Sequence, residues 1–244
     1  MISCMKIDLW SESLCQYMKV DVLMPYDTGG RPVRVLYLLH GLSDDSSVWL
    51  HRTNIERYAD AVGDLCVVLP SAHRSWYANT AAGLAYRTYV FEELPEKIAQ
   101  MFRVSNRRED TFVAGNSMGG YGALKFGLLH PERFRAVFPI SGAFRAVKYF
   151  PSEAERLSVF GEEPEREEDV VRLASEADTV NTVYPEFRLF CGKDDFCVGD
   201  NREMYALMKE KGFNVAYDET EGSHCWDFWD DAIKNICARS GEMR

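Results

Sequence analysis

One serine of the chain stands in a setting that favours nucleophilic chemistry. Ser117 lies in the stretch GNSMG of residues 115–119, which follows an apolar run beginning at Thr111 and has the pattern G-x-S-x-G. This pattern is typical of a strained turn from a strand into a helix, which lifts the serine hydroxyl above the edge of a sheet. Glycine is required at both flanks, because a side chain there would collide with the neighbouring strand or helix. The turn also places the N–H of Met118 at a helix N-terminus, where it can stabilise an oxyanion.

A serine hydroxyl is a poor nucleophile until a neutral imidazole takes its proton, and a carboxylate must orient that imidazole. His224 is the expected base, because it lies in the stretch ETEGSHCWDFW between the last predicted strand and the last predicted helix. His130 ends the helix after the serine and is interpreted as a helix cap. The acid is expected after the strand FRLFCG, where Asp194 and Asp195 are adjacent and spacing alone does not choose between them.

A second oxyanion donor is expected in the loop after an early buried strand, within the stretch YLLHGLSDDSSVW. The backbone N–H of Leu42 is the candidate and that of Gly41 is the alternative, while His40 is interpreted as a structural residue that orients the loop. Two rival sites fit less well. The stretch GNSMGGYG matches neither of the glycine-rich phosphate-binding patterns, and Cys225 lacks a nucleophile turn and adjoins the proposed base.

These residues need a scaffold that brings the ends of several strands to one edge. Apolar, β-branched runs predict strands at 18–25, 33–40, 65–70, 111–115, 136–141, 187–192 and 213–219. Several of these runs are too continuously apolar to have a solvent-exposed face, which indicates strands buried on both faces of a parallel sheet. Helical stripes lie between them, at Phe91, Leu94, Ile98 and Met101, at Tyr121, Leu124 and Leu128, and at Trp226, Trp229, Ile233 and Ile236. The alternation predicts a mostly parallel, doubly wound α/β sheet with helices on both faces, in one domain spanning residues 1–244.

Two segments depart from this alternation. The strand at 18–25 and its neighbour alternate more clearly and are joined by turn residues at 27–32, which predicts an antiparallel hairpin at the N-terminal edge of the sheet. Between 142 and 185 the chain makes a long excursion that contains an acidic stretch. Such insertions often cover a site, so a small cap is expected there, with a helical crossover as the alternative.

Composition excludes several classes of function. With 38 acidic and 28 basic residues the net charge is −10, which disfavours binding to nucleic acids and to anionic membrane surfaces. No apolar run approaches the length of a membrane span, and the stretch MISCMKIDLWSESLC lacks the apolar core of a secretory signal, so a cytoplasmic protein is expected. Seven scattered cysteines form no C-x-x-C pair, so no metal site is predicted.

Several blocks of the chain resemble one known family. The blocks are VLYLLHGLSDDSSVWLHRTNIERYA, LPSAHRSWYANT, FVAGNSMGGYGALKFGL, FCGKDDFCVGDN and GSHCWDFW. They are similar to the esterase D family of α/β-hydrolases, and most similar to its bacterial tributyrin esterase branch. The family pattern G-x-x-D-F selects Asp195 over Asp194. The resemblance implies a triad and two oxyanion donors, and it places an aromatic pair of that branch near the mouth of the site as substrate-binding residues; the positions are Ser117, Asp195 and His224, then Leu42 and Met118, then Trp76 and Tyr77.

The resemblance implies hydrolysis of short-chain acyl esters, from acetyl to butyryl, through an acyl-enzyme and without a metal or organic cofactor. Its relatives keep other substrates open: a carbohydrate-directed acetyl or feruloyl esterase, or a thioesterase like S-formylglutathione hydrolase. An acyltransferase and a non-catalytic binding module are the alternatives from other classes. The expected partner is a small ester, with an acylated sugar and a homo-oligomer left open. Packing under a loop is the alternative role of Trp76 and Tyr77.

Overall fold

A computed structural model of the chain describes residues 1–243, and the strands within them form one eight-stranded sheet. The strands are β1 (Ile2–Ser11), β2 (Gln16–Pro25), β3 (Arg34–Leu39), β4 (Leu65–Pro70), β5 (Thr111–Asn116), β6 (Ala136–Ile140), β7 (Glu186–Gly192) and β8 (Val215–Thr220). Their order across the sheet is β1-β2-β4-β3-β5-β6-β7-β8, and β3 to β8 are parallel to one another. The predicted, mostly parallel sheet is confirmed.

Helices cover both faces of this sheet. Within the described residues they are α1 (Val48–Arg52), α2 (Ile55–Val62), α3 (Tyr86–Thr88), a π-helical turn (Tyr89–Glu93), α4 (Leu94–Met101), α5 (Met118–Leu129), α6 (Glu153–Phe160), α7 (Val170–Glu176), α8 (Val198–Glu210) and α9 (Trp226–Glu242). Three of them, α1, α2 and α9, pack on one face, and α4 to α8 contribute to the core on the other. Over residues 1–243, every helix is too short or too polar to cross a bilayer.

The continuously apolar strands are explained by two separate cores. Along β3, alternate side chains point to opposite faces, as the period of a strand requires. Val35, Tyr37 and Leu39 enter one core, whereas Leu36 and Leu38 enter the other. A strand in the middle of such a sheet has no solvent-exposed face, which explains why residues 35–39 of β3 are all hydrophobic.

The hairpin at the N-terminal edge is confirmed, but its strands differ from those expected. The antiparallel hairpin consists of β1 and β2, with Ile2 opposite Pro25 and Ser11 opposite Gln16. The turn residues at 27–32 instead connect β2 to β3, and these two strands lie on opposite sides of β4. The charged residues of β1 concealed the strand, because alternate side chains of this edge strand face solvent.

The excursion between 142 and 185 contains α6 and α7 and packs on the loop that follows β4. The N–H of Ala81 donates to the Val159 carbonyl oxygen, and the N–H of Ala82 donates to that of Ser158. On its other side, the Tyr121 hydroxyl of α5 donates to the Glu168 carbonyl oxygen. The excursion therefore forms hydrogen bonds both with the loop after β4 and with α5, the helix that follows Ser117.

Candidate active site

The turn at Ser117 has the strained geometry that its sequence predicts. β5 ends at Asn116 and α5 begins at Met118, so Ser117 alone makes the reversal, with φ 55° and ψ −114°. A Cβ added at Gly115 would lie 2.6 Å from the Gly119 backbone, and one at Gly119 would lie 2.5 Å from the Leu39 carbonyl oxygen. Neither distance is compatible with a side chain. The two glycines allow α5 to pack directly against β3 and β5, which leaves Ser117 half-buried at the carboxyl edge of the sheet.

A hydrogen-bonded carboxylate and imidazole lie at the same edge of the sheet. Both Asp195 carboxylate oxygens are 3.0 Å from His224 Nδ1, although the two residues belong to different loops, after β7 and after β8. The Cys197 N–H donates to Asp195 Oδ1 at 2.7 Å. Burial alone would raise the pKa of Asp195, but hydrogen bonds from His224 and Cys197 outweigh it and hold the pKa below its ordinary value. Asp195 is therefore a stable anion facing the imidazole.

Asp194 has a different environment from its neighbour. Its side chain is exposed, and its N–H donates to the Gly222 carbonyl oxygen at 2.9 Å. The Asp195 side chain, in contrast, is buried against His224. The contact that spacing alone could not assign is thus made by Asp195.

Three side chains that were not predicted to belong to the site lie around this pair. The Trp229 ring packs edge-on to the His224 ring at 4.9 Å between centroids, and Trp229 Nε1 donates to Ser141 Oγ at 3.1 Å. The Ser141 hydroxyl also faces Asp195 and lowers its pKa. On the other side, the Phe196 ring lies 4.1 Å from the His224 ring. Trp229 is five residues after His224, in the stripe of α9, and its position in the last helix was the available signal.

The loop after β3 is held in place by His40. Its Nε2 accepts from the Ala72 N–H at 2.9 Å, so the proton is on Nδ1, which donates to the Gly41 carbonyl oxygen at 2.7 Å. Burial lowers the pKa of His40 to about 4. The Gly41 N–H faces the Asp44 carboxylate. Within residues 1–243, the N–H groups of Leu42 and Met118 donate to no protein acceptor, so both can donate to a ligand.

Trp76 and Tyr77 are not at the mouth of the site, and this expectation was wrong. Both have positive φ, and their side chains are 1% and 0% exposed. The Tyr77 hydroxyl donates to the His40 carbonyl oxygen at 2.8 Å, and the Trp76 ring stacks on Phe150 at 4.9 Å between centroids. The burial of both side chains matches the alternative role of packing: Tyr77 holds the loop after β3, and Trp76 packs against the excursion and α5.

A buried ion pair lies behind this site. Lys125, in the middle of α5, is 0% exposed, and its Nζ is 2.5 Å from Glu168 Oε2 and 2.9 Å from the Tyr77 carbonyl oxygen. The Tyr121 hydroxyl also donates to Glu168 Oε2 at 3.0 Å. Burial lowers the pKa of Lys125. The signal for this pair is a lysine within the apolar stretch GALKFGL, although the sequence does not show its partner.

One group of side chains has potential metal-ligand atoms within 4.8 Å of one another: Asp195, Cys197 and His224. The chemistry of these side chains is poorly suited to binding a metal ion. Burial raises the pKa of the Cys197 thiol, which favours the protonated form that does not ligate metals. Both oxygens of Asp195 already contact His224. The arrangement fits a carboxylate that orients an imidazole better than a cation site.

Comparison with known proteins decides the family. The family model described as "Putative esterase" matches residues 11–239. The chain belongs to this esterase family. An acetyl esterase of Caldicellulosiruptor saccharolyticus is 28% identical over 96% of either chain. Two solved Staphylococcus aureus structures are each 28% identical: the fluorophosphonate-binding serine hydrolase FphF has a TM-score of 0.92 and covers 98% of both chains, and the S-formylglutathione hydrolase FrmB has 0.90 and covers 99%.

These relatives confirm the coarse predictions made from the sequence. The chain has the α/β-hydrolase fold, with the antiparallel hairpin at one edge. It is a serine hydrolase that acts on carboxylic esters. A strained serine and a carboxylate–imidazole pair at the same edge of the sheet are the arrangement expected at the centre of such an enzyme.

Proposed function

We propose that the chain is a serine carboxylesterase of the tributyrin esterase branch, which hydrolyses short-chain acyl esters from acetyl to butyryl. Ser117 is the nucleophile, His224 the general base and Asp195 the residue that orients His224. The observation that carries this proposal is the contact of Asp195 with His224 Nδ1 at 3.0 Å, at the sheet edge where the strained turn presents Ser117. A small-molecule ester is accordingly the partner of this site.

Acylation follows from the hydrogen-bonding capacity of these groups. Because His224 Nδ1 donates its proton to Asp195, the imidazole Nε2 is free to accept the Ser117 Oγ proton as Oγ attacks the ester carbonyl. The negative charge that develops on the carbonyl oxygen is stabilised by the N–H groups of Leu42 and Met118. His224 then returns the proton to the departing alcohol, which leaves an acyl group on Ser117.

Deacylation repeats these steps with water in place of the serine. His224 takes a proton from the water, which attacks the acyl carbonyl, and Ser117 Oγ leaves with that proton. Asp195 remains ionised throughout, because its hydrogen bonds hold its pKa below the ordinary value. The mechanism requires no metal or organic cofactor.

The acyl-chain preference rests on the resemblance to the tributyrin esterase branch and on the acetyl esterase relative. A second candidate substrate is a thioester such as S-formylglutathione, which the similarity to FrmB favours. Both substrates would use the same triad; they differ in the leaving group, a thiol instead of an alcohol, and in the acyl group, formyl instead of acetyl to butyryl. Acyl transfer to an acceptor alcohol also shares these residues, and it differs from hydrolysis in the group that attacks the acyl-enzyme.

The test is hydrolysis of p-nitrophenyl esters from acetate to decanoate, together with acetylated xylan, methyl ferulate and S-formylglutathione. We expect the rates to be highest from acetyl to butyryl and to fall by roughly 10⁶-fold in Ser117→Ala, with an unchanged circular dichroism spectrum. A folded Ser117→Ala variant with full activity would contradict the catalytic assignment. Highest rates on S-formylglutathione would favour the thioesterase, and transfer to added alcohols would favour the acyltransferase.

A further inference from the structure

One aromatic side chain beside the proposed triad is open to solvent. Phe196 is 64% exposed, although it directly follows the buried Asp195. Its ring lies 4.1 Å from the His224 ring, at 36° between the planes, and 5.7 Å from the Tyr149 ring. The Tyr149 hydroxyl donates to Asp200 Oδ2 at 3.0 Å. Phe196 and Tyr149 therefore form an aromatic surface next to His224, which we call the Phe196–Tyr149 surface.

An isolated exposed apolar residue is common on a protein and needs no explanation. The position of Phe196 is different, because its ring contacts the catalytic imidazole and a second ring from the excursion. The ring makes both contacts and still leaves most of its area open to solvent. An apolar group that packed on this face would remove the exposed area from water, which is favourable in proportion to the area covered.

The reaction itself determines which part of the ester approaches this surface. The carbonyl oxygen is held by the N–H groups of Leu42 and Met118, and the leaving oxygen must come within hydrogen-bonding reach of His224 to receive its proton. The alcohol half of the ester is therefore the part beside His224. Because the Phe196 ring lies against that imidazole, the alcohol half also passes the Phe196–Tyr149 surface.

We propose that the Phe196–Tyr149 surface binds an apolar, ring-bearing alcohol half of the substrate, such as an arylmethyl group. This inference rests on the proposed roles of Ser117 and His224. It names the chemical class of the leaving group, whereas the short acyl preference concerns the other half of the ester. Aromatic pairs prefer offset or edge-to-face contacts, which an exposed ring with a free face can offer to a planar group.

Benzyl acetate and ethyl acetate provide the test, because they share the acyl group and have leaving alcohols of similar acidity. In the wild type, we expect kcat/KM to be higher for benzyl acetate. In Phe196→Ala, kcat/KM for benzyl acetate should fall about tenfold, mainly through KM, while that for ethyl acetate changes less than about threefold. Phe196→Tyr should retain the preference. Tyr26→Ala, which removes a 74% exposed aromatic side chain away from the site, should change neither ester.

Two results would overturn the inference. An equal loss for both esters in Phe196→Ala would mean that the ring acts only through His224, and no loss for either would mean that the ring does not meet substrate. Failure of the underlying function is distinguishable from both. In that case the wild type would hydrolyse neither acetate, so the comparison between variants would never arise.

Discussion

Two pairs of ionisable side chains differ in how completely their polar atoms are hydrogen-bonded within the protein. His224, paired with Asp195, has a side chain 16% exposed, and within residues 1–243 its Nε2 forms no hydrogen bond with the protein. Lys125, paired with Glu168, is 0% exposed and also donates to the Tyr77 carbonyl oxygen, while Glu168 accepts from Tyr121. The His224 imidazole therefore keeps one nitrogen free for proton transfer with a substrate. In the Lys125–Glu168 pair, both charged groups are hydrogen-bonded within the protein.

The difference shows how the chain separates chemistry from support. A group that must change its protonation state during a reaction needs one free position and access to substrate. A buried charge that only supports structure must be fully paired, because an unpaired one is expensive. Lys125 and Glu168 connect α5, the loop after β4 and the excursion. The same segments hold the turn at Ser117 and, through the Tyr77 hydroxyl, the loop after β3.

The sharpest test of the Asp195–His224 pair compares the same substitution at two adjacent aspartates. Asp195→Asn should lower kcat by about 10⁴-fold, because the amide cannot hold His224 in the required tautomer or stabilise its cation. Asp194→Asn is the matched control and should change kcat less than about threefold, since its side chain is exposed. Steady-state kinetics on p-nitrophenyl acetate measures both. Equal losses in the two variants would contradict the assignment of the acid.

The Lys125–Glu168 pair should affect stability more than catalytic rate. Lys125→Met removes the cation next to the buried Glu168 carboxylate and leaves it with the more distant Arg87 guanidinium, 3.7 Å from Glu168 Oε1, so we expect the free energy of unfolding to fall by about 3–5 kcal/mol. Urea denaturation measures this loss. The double variant Lys125→Met with Glu168→Gln removes the poorly compensated charge and should recover part of the loss. An unchanged midpoint in Lys125→Met would show that the pair is not a structural support.

His40 predicts a pH dependence of stability. Its pKa is about 4 in the folded chain, because burial disfavours the cation, against an ordinary value of 6.5. Between these values the unfolded chain binds a proton and the folded chain does not. Stability should therefore fall as pH decreases from about 6.5 to 4, by up to about 3 kcal/mol. Urea midpoints at several pH values should show a smaller decline in His40→Gln, and identical slopes in the two proteins would contradict the prediction.

The smallest effect is expected from the hydrogen bond that holds the loop after β3. Tyr77→Phe removes the hydroxyl that donates to the His40 carbonyl oxygen, which should cost about 1 kcal/mol of stability and a few-fold in kcat/KM. Tyr58→Phe is the matched control, since the Tyr58 hydroxyl donates to Asp230 in α9. It should lower stability by a similar amount without changing kcat/KM. A loss of kcat/KM in Tyr58→Phe but not in Tyr77→Phe would contradict this role of Tyr77.

The parts of the fold that depend on local sterics could be predicted from the sequence. Gly115 and Gly119 are required by contacts within a few residues and with one neighbouring strand, so the turn at Ser117 is visible in the pattern itself. Continuous apolar runs likewise identify the central strands, because both faces of these strands are buried. Edge strand β1 was less evident, since its alternate side chains are polar and exposed.

The parts that depend on distant contacts could not be predicted from pattern alone. Spacing left Asp194 and Asp195 equivalent, and only the approach of the loop after β8 distinguishes them. Lys125 shows no partner in the sequence, because Glu168 lies 43 positions away. Aromatic residues such as Trp76 and Tyr77 can contact substrate or pack in the core. Only the packing of the excursion and of α5 shows that these two are buried.

The most direct test of the central claim is to map the residue that a fluorophosphonate probe modifies. The reagent forms a bond from phosphorus to an activated serine oxygen and releases fluoride, so it reports the nucleophile independently of the natural substrate. We predict modification of Ser117 by peptide mass spectrometry in the wild type and none in Ser117→Ala. Modification at another residue, or labelling that persists in a folded Ser117→Ala variant, would contradict the proposed mechanism.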